Sequence, residues 1–338
     1  MVKIIAKTVK GVEGKPVEEG KSLRLDCCVV ETDIAYPVDA KLLNDSVRIL
    51  THILTFCRKE LQIIDFSFAN RTKQAKKRDY EIVLQKGPKA PKKRRKLYRK
   101  LLKVTKEVIA MAEEALPLLQ KAWEQDRENN DFEGAVSGLE HFIPLACQAV
   151  DQCQRRILND EKVPAEEKIV SIFEQHTDII CRGKSGTPTE FGHKVLFATG
   201  RSGMITNHDI FRGNPGDNTM LPNALDEHSS LFGCAPEELT TDRRFFSADN
   251  EELAKEKGVK FVSIPKPGRL SATRKAWQKS RWFKELQHFR AGIEGNISNL
   301  LRNYGLKRCL WKGWEAFCSY VSLSVLTYNL CKLAQHTV

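Results

Sequence analysis

The sequence predicts an α/β protein with a mixed sheet flanked by helices and a large all-helical insertion after the first strand. Residues 21–32 alternate in polarity and are rich in Val, Leu and Cys, which is typical of a strand. From Asp39 to about Ile180, apolar residues recur mostly at helical spacing. After Gly183, short apolar runs bounded by Gly and Pro return, which indicates further strands.

These changes of pattern predict two domains. A discontinuous α/β domain comprises residues 1–38 and 181–338, and a helical insertion domain comprises residues 39–180. Asp39 is expected to cap the first helix of the insertion. The helices that we expect there span residues 39–70, 95–129, 134–158 and 163–180.

The second part of the α/β domain begins with a predicted hairpin. Its strands are residues 191–199 and 203–211, joined by Gly200 to Gly203, and a helix follows at 219–232. With the helical insertion removed, the order of elements is that of a mixed sheet whose first three strands are antiparallel. That order is the RNase H-like one, interrupted after its first strand.

The stretch from Ala235 to Gly268 predicts two more strands around a short helix. The first strand ends on Asp242, and the helix runs from about Ala248 to Lys257, where Gly258 closes it. The apolar run 259–264 is typical of a buried parallel strand. Because open α/β sheets bind ligands beyond the carboxyl ends of their strands, Asp242 is a candidate functional residue.

The charge of the chain indicates a polyanionic partner. The formal net charge is +12, which favours nucleic acid or an acidic membrane surface. Residues 71–106 contain sixteen Lys and Arg against two acids. This run is either a solvated helix face or a surface that contacts phosphates. The candidate DNA contacts in its densest part are Lys92, Lys93, Arg94, Arg95 and Lys96.

Cysteine usage and hydropathy indicate a cytoplasmic protein without a membrane segment. The ten cysteines are scattered and include no Cys-x-x-Cys pair, so they are expected to be small buried hydrophobes in a reducing compartment. The N-terminus has no apolar stretch of the signal-peptide type. The most apolar segment, 314–333, carries polar residues at intervals and is expected to be a packed helix.

Three acids far apart in the sequence are candidates for a metal site. Asp26 lies in the first strand, Asp242 ends a later strand, and Glu294 lies in a helix predicted over Phe283–Tyr304. Carboxylates are the ligands that Mg²⁺ prefers, and two such ions can hydrolyse a phosphodiester. The alternative is that a chain with 43 acids has several near strand ends by chance.

Four separated segments, in order, resemble the DDE transposases of bacterial insertion sequences, nearest to the ISNCY-like branch. The resemblance covers about residues 20–332 and implies an RNase H-like fold with a helical insertion after the first catalytic strand. The segments are LDCCVVETDIAYPVDAKLLNDSVRIL around Asp26, GKSGTPTEFGHKV with GNPGDNTML, LTTDRRFFSADN around Asp242, and FRAGIEGNISNLLRNYGLKRC around Glu294.

The resemblance implies a role for each matching residue. Asp26, Asp242 and Glu294 match the metal-binding triad, which would hold two Mg²⁺ or Mn²⁺ ions. Arg290 lies one helical turn before Glu294 and would orient that carboxylate or a phosphate. Asp217 matches a family position and is expected to be structural. The lysines that match basic positions and are candidate DNA contacts, or alternatively solvated surface, are Lys184, Lys194 and Lys266.

The implied function is DNA transposition by a protein that acts on element ends and target DNA as a homodimer or larger assembly in the bacterial cytoplasm, near the nucleoid. The sequence departs from the family in four places. Met1 lies only 25 residues before Asp26, so the usual N-terminal DNA-binding region is expected to be missing. Cys27 and Cys28 replace Ser-Thr, Arg244 replaces a common glycine, and Gln287 replaces a tyrosine.

Two alternatives remain open from the sequence. One is a catalytically inactive, truncated transposase remnant that binds DNA without cutting it, which Arg244 and the short N-terminus favour. The other is a helical interaction protein whose acids are only surface charge. The order of the four motifs argues against the second alternative.

Overall fold

The computed structural model describes residues 16–181 and 188–337. The chain divides into two compact units, each considered by itself below. The α/β unit combines Met1–Asp33 with His176–Val338, and the helical unit is Ile34–Gln175.

The α/β unit is built on a mixed sheet, as the sequence predicts. Its strand order is β2-β3-β1-β5-β6, with β4 paired to β3 and β7 paired to β1. β1 is antiparallel to β3, which is antiparallel to β4, whereas β5, β6 and β7 add in parallel. The predicted antiparallel arrangement of the first strands is therefore confirmed. The strands of the described residues are β1 (Ser22–Thr32), β2 (Asp178–Cys181), β3 (Thr189–Thr199), β4 (Ile205–Phe211), β5 (Glu238–Thr240), β6 (Phe261–Ser263) and β7 (Arg308–Cys309).

Helices cover both faces of this sheet. Because successive side chains of β1 point to opposite faces, Leu23 and Leu25 pack into one core, whereas Cys28 and Val30 pack into the other. The helices of both units are numbered in chain order, and the helical unit contains the first four. Those of the α/β unit are α5 (Leu221–Phe232), α6 (Ala248–Glu256), α7 (Ala272–Lys279), α8 (Arg281–Asn303) and α9 (Trp314–Thr337).

The expected stop of α6 is confirmed in detail. The helix ends at Glu256, and Gly258 adopts a φ of +94°, a left-handed conformation that glycine reaches without steric cost. Residues 217–219 and 243–245 form single 3₁₀ turns before α5 and α6.

The apolar C-terminal segment is a packed helix, α9. Phe317, Val321, Val325 and Tyr328 recur at helical spacing and are fully buried. Across the described ranges, every helix is too short or too polar to cross a lipid bilayer.

The helical unit has one core formed by four helices. Leu50 and Leu54 of the first helix, Leu101 of the third and Leu139 of the fourth are buried in it. The helices are α1 (Asp39–Lys59), α2 (Thr72–Leu84), α3 (Ala90–Gln125) and α4 (Asn130–Cys153), and a π-helical turn (Gln154–Leu158) extends the fourth.

Three expectations about this unit are wrong: two concern its helices and one concerns Asp39. The first helix ends at Lys59 rather than near residue 70, and a separate helix, α2, follows. The predicted helix 163–180 is irregular up to β2. Val163, Val170 and Ile172 are buried, but the Gln152 side chain donates to the Ile169 carbonyl and accepts from the Ile169 N–H, in place of helical hydrogen bonds. The spacing of apolar residues in this irregular segment therefore resembled that of a helix.

Asp39 does not cap α1, contrary to expectation, because it is already the first helical residue and Val38 holds the cap position. Its buried carboxylate accepts a hydrogen bond from Gln152 Nε2 at 2.9 Å and pairs with Arg156 at 2.9 Å. Asp39 therefore ties the start of α1 to the end of α4.

A buried arginine fixes α8 against the sheet. Arg24 of β1 is only 6% exposed; its Nε donates to Thr199 Oγ1 at 2.7 Å and its Nη1 donates to the Phe289 carbonyl at 2.7 Å. A Cβ at position 292 would lie 2.5 Å from Arg24 Nη1, so only glycine leaves room for the guanidinium. The backbone of α8 is therefore closely approached at Gly292. Gly295 has open space around it.

This difference predicts opposite effects of the same substitution at two nearby glycines. Gly292→Ala should destabilise the protein by about 1–3 kcal/mol, since the new methyl group collides with Arg24. Gly295→Ala should stabilise it by about 0.5–1 kcal/mol through helix propensity alone. Urea denaturation measures both, and equal shifts in the same direction would contradict this account of Arg24.

Candidate functional site

Asp26 occupies the centre of the sheet and is largely removed from solvent. It lies on β1, on the face that carries Arg24, and its side chain is 18% exposed. The pKa of Asp26 is raised to about 6, chiefly by burial and also by the negative charges of Asp242 and Glu294. The N–H of Cys27, which donates to Asp26 Oδ1 at 2.8 Å, and the cation of Arg290 act in the opposite direction.

Arg290 links two of the three predicted acids. Its Nη1 lies 3.7 Å from Asp26 Oδ2, and its Nη2 donates to Glu294 Oε1 at 2.8 Å. The expected pairing of Arg290 with Glu294 along one face of α8 is therefore formed. The Glu294 side chain is 61% exposed, so it lies at the solvent side of this chain of charges.

Asp242 reaches the same place from the neighbouring strand. β5 runs parallel to β1, pairing Leu239 with Leu23, and Asp242 follows the end of β5. Its Oδ1 accepts from the N–H of Arg244 at 2.8 Å and caps the 3₁₀ turn. The backbone N–H is available whatever side chain residue 244 carries, so arginine in place of glycine preserves this cap.

Gln287 positions the helix that carries Arg290 and Glu294. Its Nε2 lies 3.1 Å from Thr240 Oγ1 and 2.9 Å from the carbonyl of Ser263, and so bridges the ends of β5 and β6. Thr240 Oγ1 donates in turn to the Leu286 carbonyl at 3.2 Å. The sequence marked Gln287 only as a departure from tyrosine; its bridging role depends on two strand ends that the sequence cannot bring together.

The three acids have side chains of the kind that bind divalent cations, but they are not arranged as a complete metal site. In the parts of the chain that the structure describes, no group of three or more His, Cys, Asp or Glu side chains is placed to hold a metal ion. The three carboxylates supply hard oxygen donors of the kind that Mg²⁺ prefers. Burial and, to a lesser extent, the charges of Asp242 and Glu294 raise the pKa of Asp26, and a bound cation would favour its ionised form.

A groove of about 600 Å³ lies beside the 3₁₀ turn that Asp242 caps. Arg243 and Arg244 line it and are exposed, and residues 214–218 form another wall. Lys194 holds that wall in place: its buried Nζ donates to the Pro215 carbonyl at 2.6 Å and pairs with Asp217 Oδ1 at 2.8 Å. Asp217 is thus structural, as expected.

The predicted DNA-contacting residues are not all alike in exposure. Lys194 is 4% exposed and engaged internally, whereas Lys266 is exposed after β6, 5.7 Å from the ring centroid of Phe246. Lys184 lies outside the described residues. All of these DNA contacts remain predictions.

The basic run lies at the start of α3 in the helical unit. Arg95 forms two hydrogen bonds of 2.6 Å with the Asp160 carboxylate, and Arg94 donates to the Gln85 carbonyl. The fully exposed members of the predicted set are Lys92, Lys93, Arg94 and Lys96.

Comparison with known proteins gives one match. Residues 174–330 match the family model described as "Transposase DDE domain". That range contains the second and third candidate acids, Asp242 and Glu294, together with Arg290. No curated protein and no solved structure matches the chain.

The raised pKa of Asp26 predicts a pH-dependent stability cost. The folded protein binds this proton more tightly than the unfolded chain, so ionised Asp26 destabilises the fold above about pH 6, and the cost vanishes below about pH 4. Asp26→Asn should raise stability by up to about 3 kcal/mol at pH 8 and by little at pH 4.

Denaturant unfolding at the two pH values, without added metal, measures this difference. Glu256→Gln, at the exposed end of α6, is the matched control and should show no such dependence. An Asp26→Asn variant that is no more stable than the wild type at pH 8 would contradict the assignment of a buried, repelled carboxylate.

Proposed function

We propose that this chain, of which residues 174–330 match a transposase DDE domain, cuts and joins the DNA of an insertion sequence at a site formed by Asp26, Asp242 and Glu294. The observation that carries the proposal is the link from Asp26 through Arg290 to Glu294, with Asp242 close enough to raise the pKa of Asp26. Charged residues from distant parts of the sequence therefore interact with one another beside one strand.

In this proposal, Asp26, Asp242 and Glu294 hold two Mg²⁺ or Mn²⁺ ions. When bound, such ions activate a water and stabilise the leaving oxygen of a phosphodiester. Asp26 and Asp242 come from the sheet, which keeps their backbones rigid. Glu294 is the most exposed of the three and can change rotamer to complete the set.

The other charged groups would hold the DNA strand. Arg290 keeps Glu294 oriented and offers its guanidinium to a phosphate. Arg243 and Arg244 present two exposed cations in the groove beside Asp242, where a flanking phosphate fits. The basic residues of α3, together with Lys184 and Lys266, are the further proposed DNA contacts, whereas the buried Lys194 would support the groove wall from inside.

The proposed reaction has two steps. Hydrolysis at an element end frees a 3′-hydroxyl, and that hydroxyl then attacks a target phosphodiester at the same site. Because two ends must be joined, we propose that a homodimer or larger assembly acts on the DNA. We also place the chain in the ISNCY-like branch, on the basis of its four ordered motifs.

Substitution of Asp242 tests the site. Asp242→Asn should lower metal-dependent nicking of a duplex carrying the element ends by at least about a hundredfold, because a ligand charge is lost, and should leave DNA binding unchanged. Gel analysis of labelled duplex with Mg²⁺, with Mn²⁺ and with chelator measures this. Asp249→Asn, an exposed acid in the first turn of α6, is the control and should cut normally.

Other outcomes have distinct meanings. Cutting that survives Asp242→Asn would rule out the assigned site. Tight binding by the wild type with no cutting in either metal would replace the proposal with the inactive remnant. Absence of any salt-dependent DNA affinity would indicate the helical interaction protein.

Arg290 is expected to act through Asp26 as a positioning residue. Removing its cation in Arg290→Gln should raise the pKa of Asp26 further, so the acidic limb of the cleavage pH profile should move to higher pH. Compared with Arg290→Gln, Arg290→Lys should return the acidic limb most of the way to its wild-type pH. It should restore less of the cleavage rate, since lysine cannot pair bidentately. A limb that does not move in Arg290→Gln would contradict this role.

A further inference from the structure

A second basic surface lies on the α/β unit, outside the acidic site. Residues 260–284, from the start of β6 to the first turn of α8, contain eight Lys and Arg and no acid. We call this segment the α7 surface, after the helix at its centre. Such an imbalance is costly in self-repulsion unless a polyanion is bound.

The helix α7 buries none of its own residues. It is nevertheless well formed: Ser271 Oγ accepts from the N–H of Arg274 as an N-cap, and Arg274 pairs with Glu251 of α6 and donates to the Ile264 carbonyl at 2.8 Å. The helix is therefore fastened to the sheet by polar contacts. All of its side chains are therefore at least partly accessible to a ligand.

Aromatic rings lie among these basic residues. Trp277 is 44% exposed and Phe261 is 43% exposed. Their rings both contact Trp282, with centroid distances of 5.2 Å from Trp277 and 5.6 Å from Phe261. Exposed flat rings in contact with one another provide stacking faces that any nucleobase can use.

The cations around these rings are available to a ligand. Within the described part of the chain, five exposed basic side chains of the surface have no acidic partner. They are Lys266, Arg269, Lys275, Lys279 and Lys284.

The α7 surface is connected to the acidic site by a rigid element. α8 begins at Arg281, inside the surface, and carries Glu294 thirteen residues later. At 1.5 Å per residue this is about 20 Å along one helix. A strand held on the surface is thus held at a fixed distance from Glu294.

We propose that the α7 surface binds an unpaired stretch of DNA strand, with bases stacked on Trp277 and Phe261 and phosphates on the surrounding lysines and arginines. This inference rests on the proposed function for the identity of the nucleic acid. Binding of duplex DNA alone would not account for the exposed aromatic rings, because the bases of a duplex are already stacked on one another.

Substitution of two tryptophans of similar exposure tests whether the rings bind the single strand. Trp277→Ala should weaken binding of a fluorescein-labelled 20-nucleotide single strand by about 5- to 100-fold, the range for one stacked base. Trp311→Ala, at a position 46% exposed elsewhere on the unit, should leave the affinity unchanged. Trp277→Phe should recover most of the loss. Fluorescence anisotropy without metal measures all three.

The charges are tested by the salt dependence of the same binding. Lys275→Gln with Lys279→Gln should reduce the slope of log affinity against log salt concentration by about 0.7 for each lysine. Lys255→Gln with Lys307→Gln, an exposed pair outside the surface, is the control and should leave the slope unchanged.

Equal affinity of Trp277→Ala and wild type for the single strand would overturn the proposal. Equal weakening for single strand and for a blunt duplex would also overturn it. Because these measurements need no metal and no cutting, they are independent of the cleavage test. Loss of cutting with intact Trp277-dependent binding would refute only the proposed function.

Discussion

The α/β unit depends on the burial of one arginine between its sheet and α8. Arg24 places a cation where the core would otherwise be apolar, and desolvation lowers its pKa accordingly. The cost is offset because its bonds to Thr199 and the Phe289 carbonyl, and the Phe289 ring 4.5 Å away, surround the guanidinium. These contacts set both the height and the rotation of α8 above β1, and Gly292 is the backbone position that makes room for them.

That placement determines the electrostatics of the acidic site. With α8 held by Arg24 and by Gln287, Arg290 lies between Asp26 and Glu294 instead of in solvent. Burial is the main reason that the pKa of Asp26 is raised, and the negative charges of Asp242 and Glu294 act in the same direction, against the cation of Arg290. Carboxyl groups with pKa values perturbed in this way cluster at functional sites.

The sequence predicted the parts of this protein that have a strong local pattern. β1, the hairpin of β3 and β4, the Gly258 helix stop and the Arg290–Glu294 pair could all be predicted, because each depends on period, turn residues or a four-residue spacing. Long-range contacts could not. No local pattern predicts that Arg24 contacts Phe289 or that Gln287 bridges two strand ends. The irregular segment before β2 was wrongly predicted as a helix because its apolar residues follow the requirements of burial and not a helical period. The α7 surface went unnoticed because its helix lacks the apolar stripe that sequence analysis seeks.

The position of β1 in the chain has a consequence for synthesis. β1 is made before the helical unit, yet its partners β3, β5 and β7 all come after it. At about 5–20 residues per second, the ribosome needs roughly 10–30 s to add residues 33–199, and during that time the strand has no sheet to join. The helical unit can fold in this interval because its contacts lie within its own stretch of chain. The nascent protein thus exposes an apolar, unpaired strand throughout this interval. Both acidic Asp26 and basic Arg24, which interrupt that strand, disfavour its pairing with another chain.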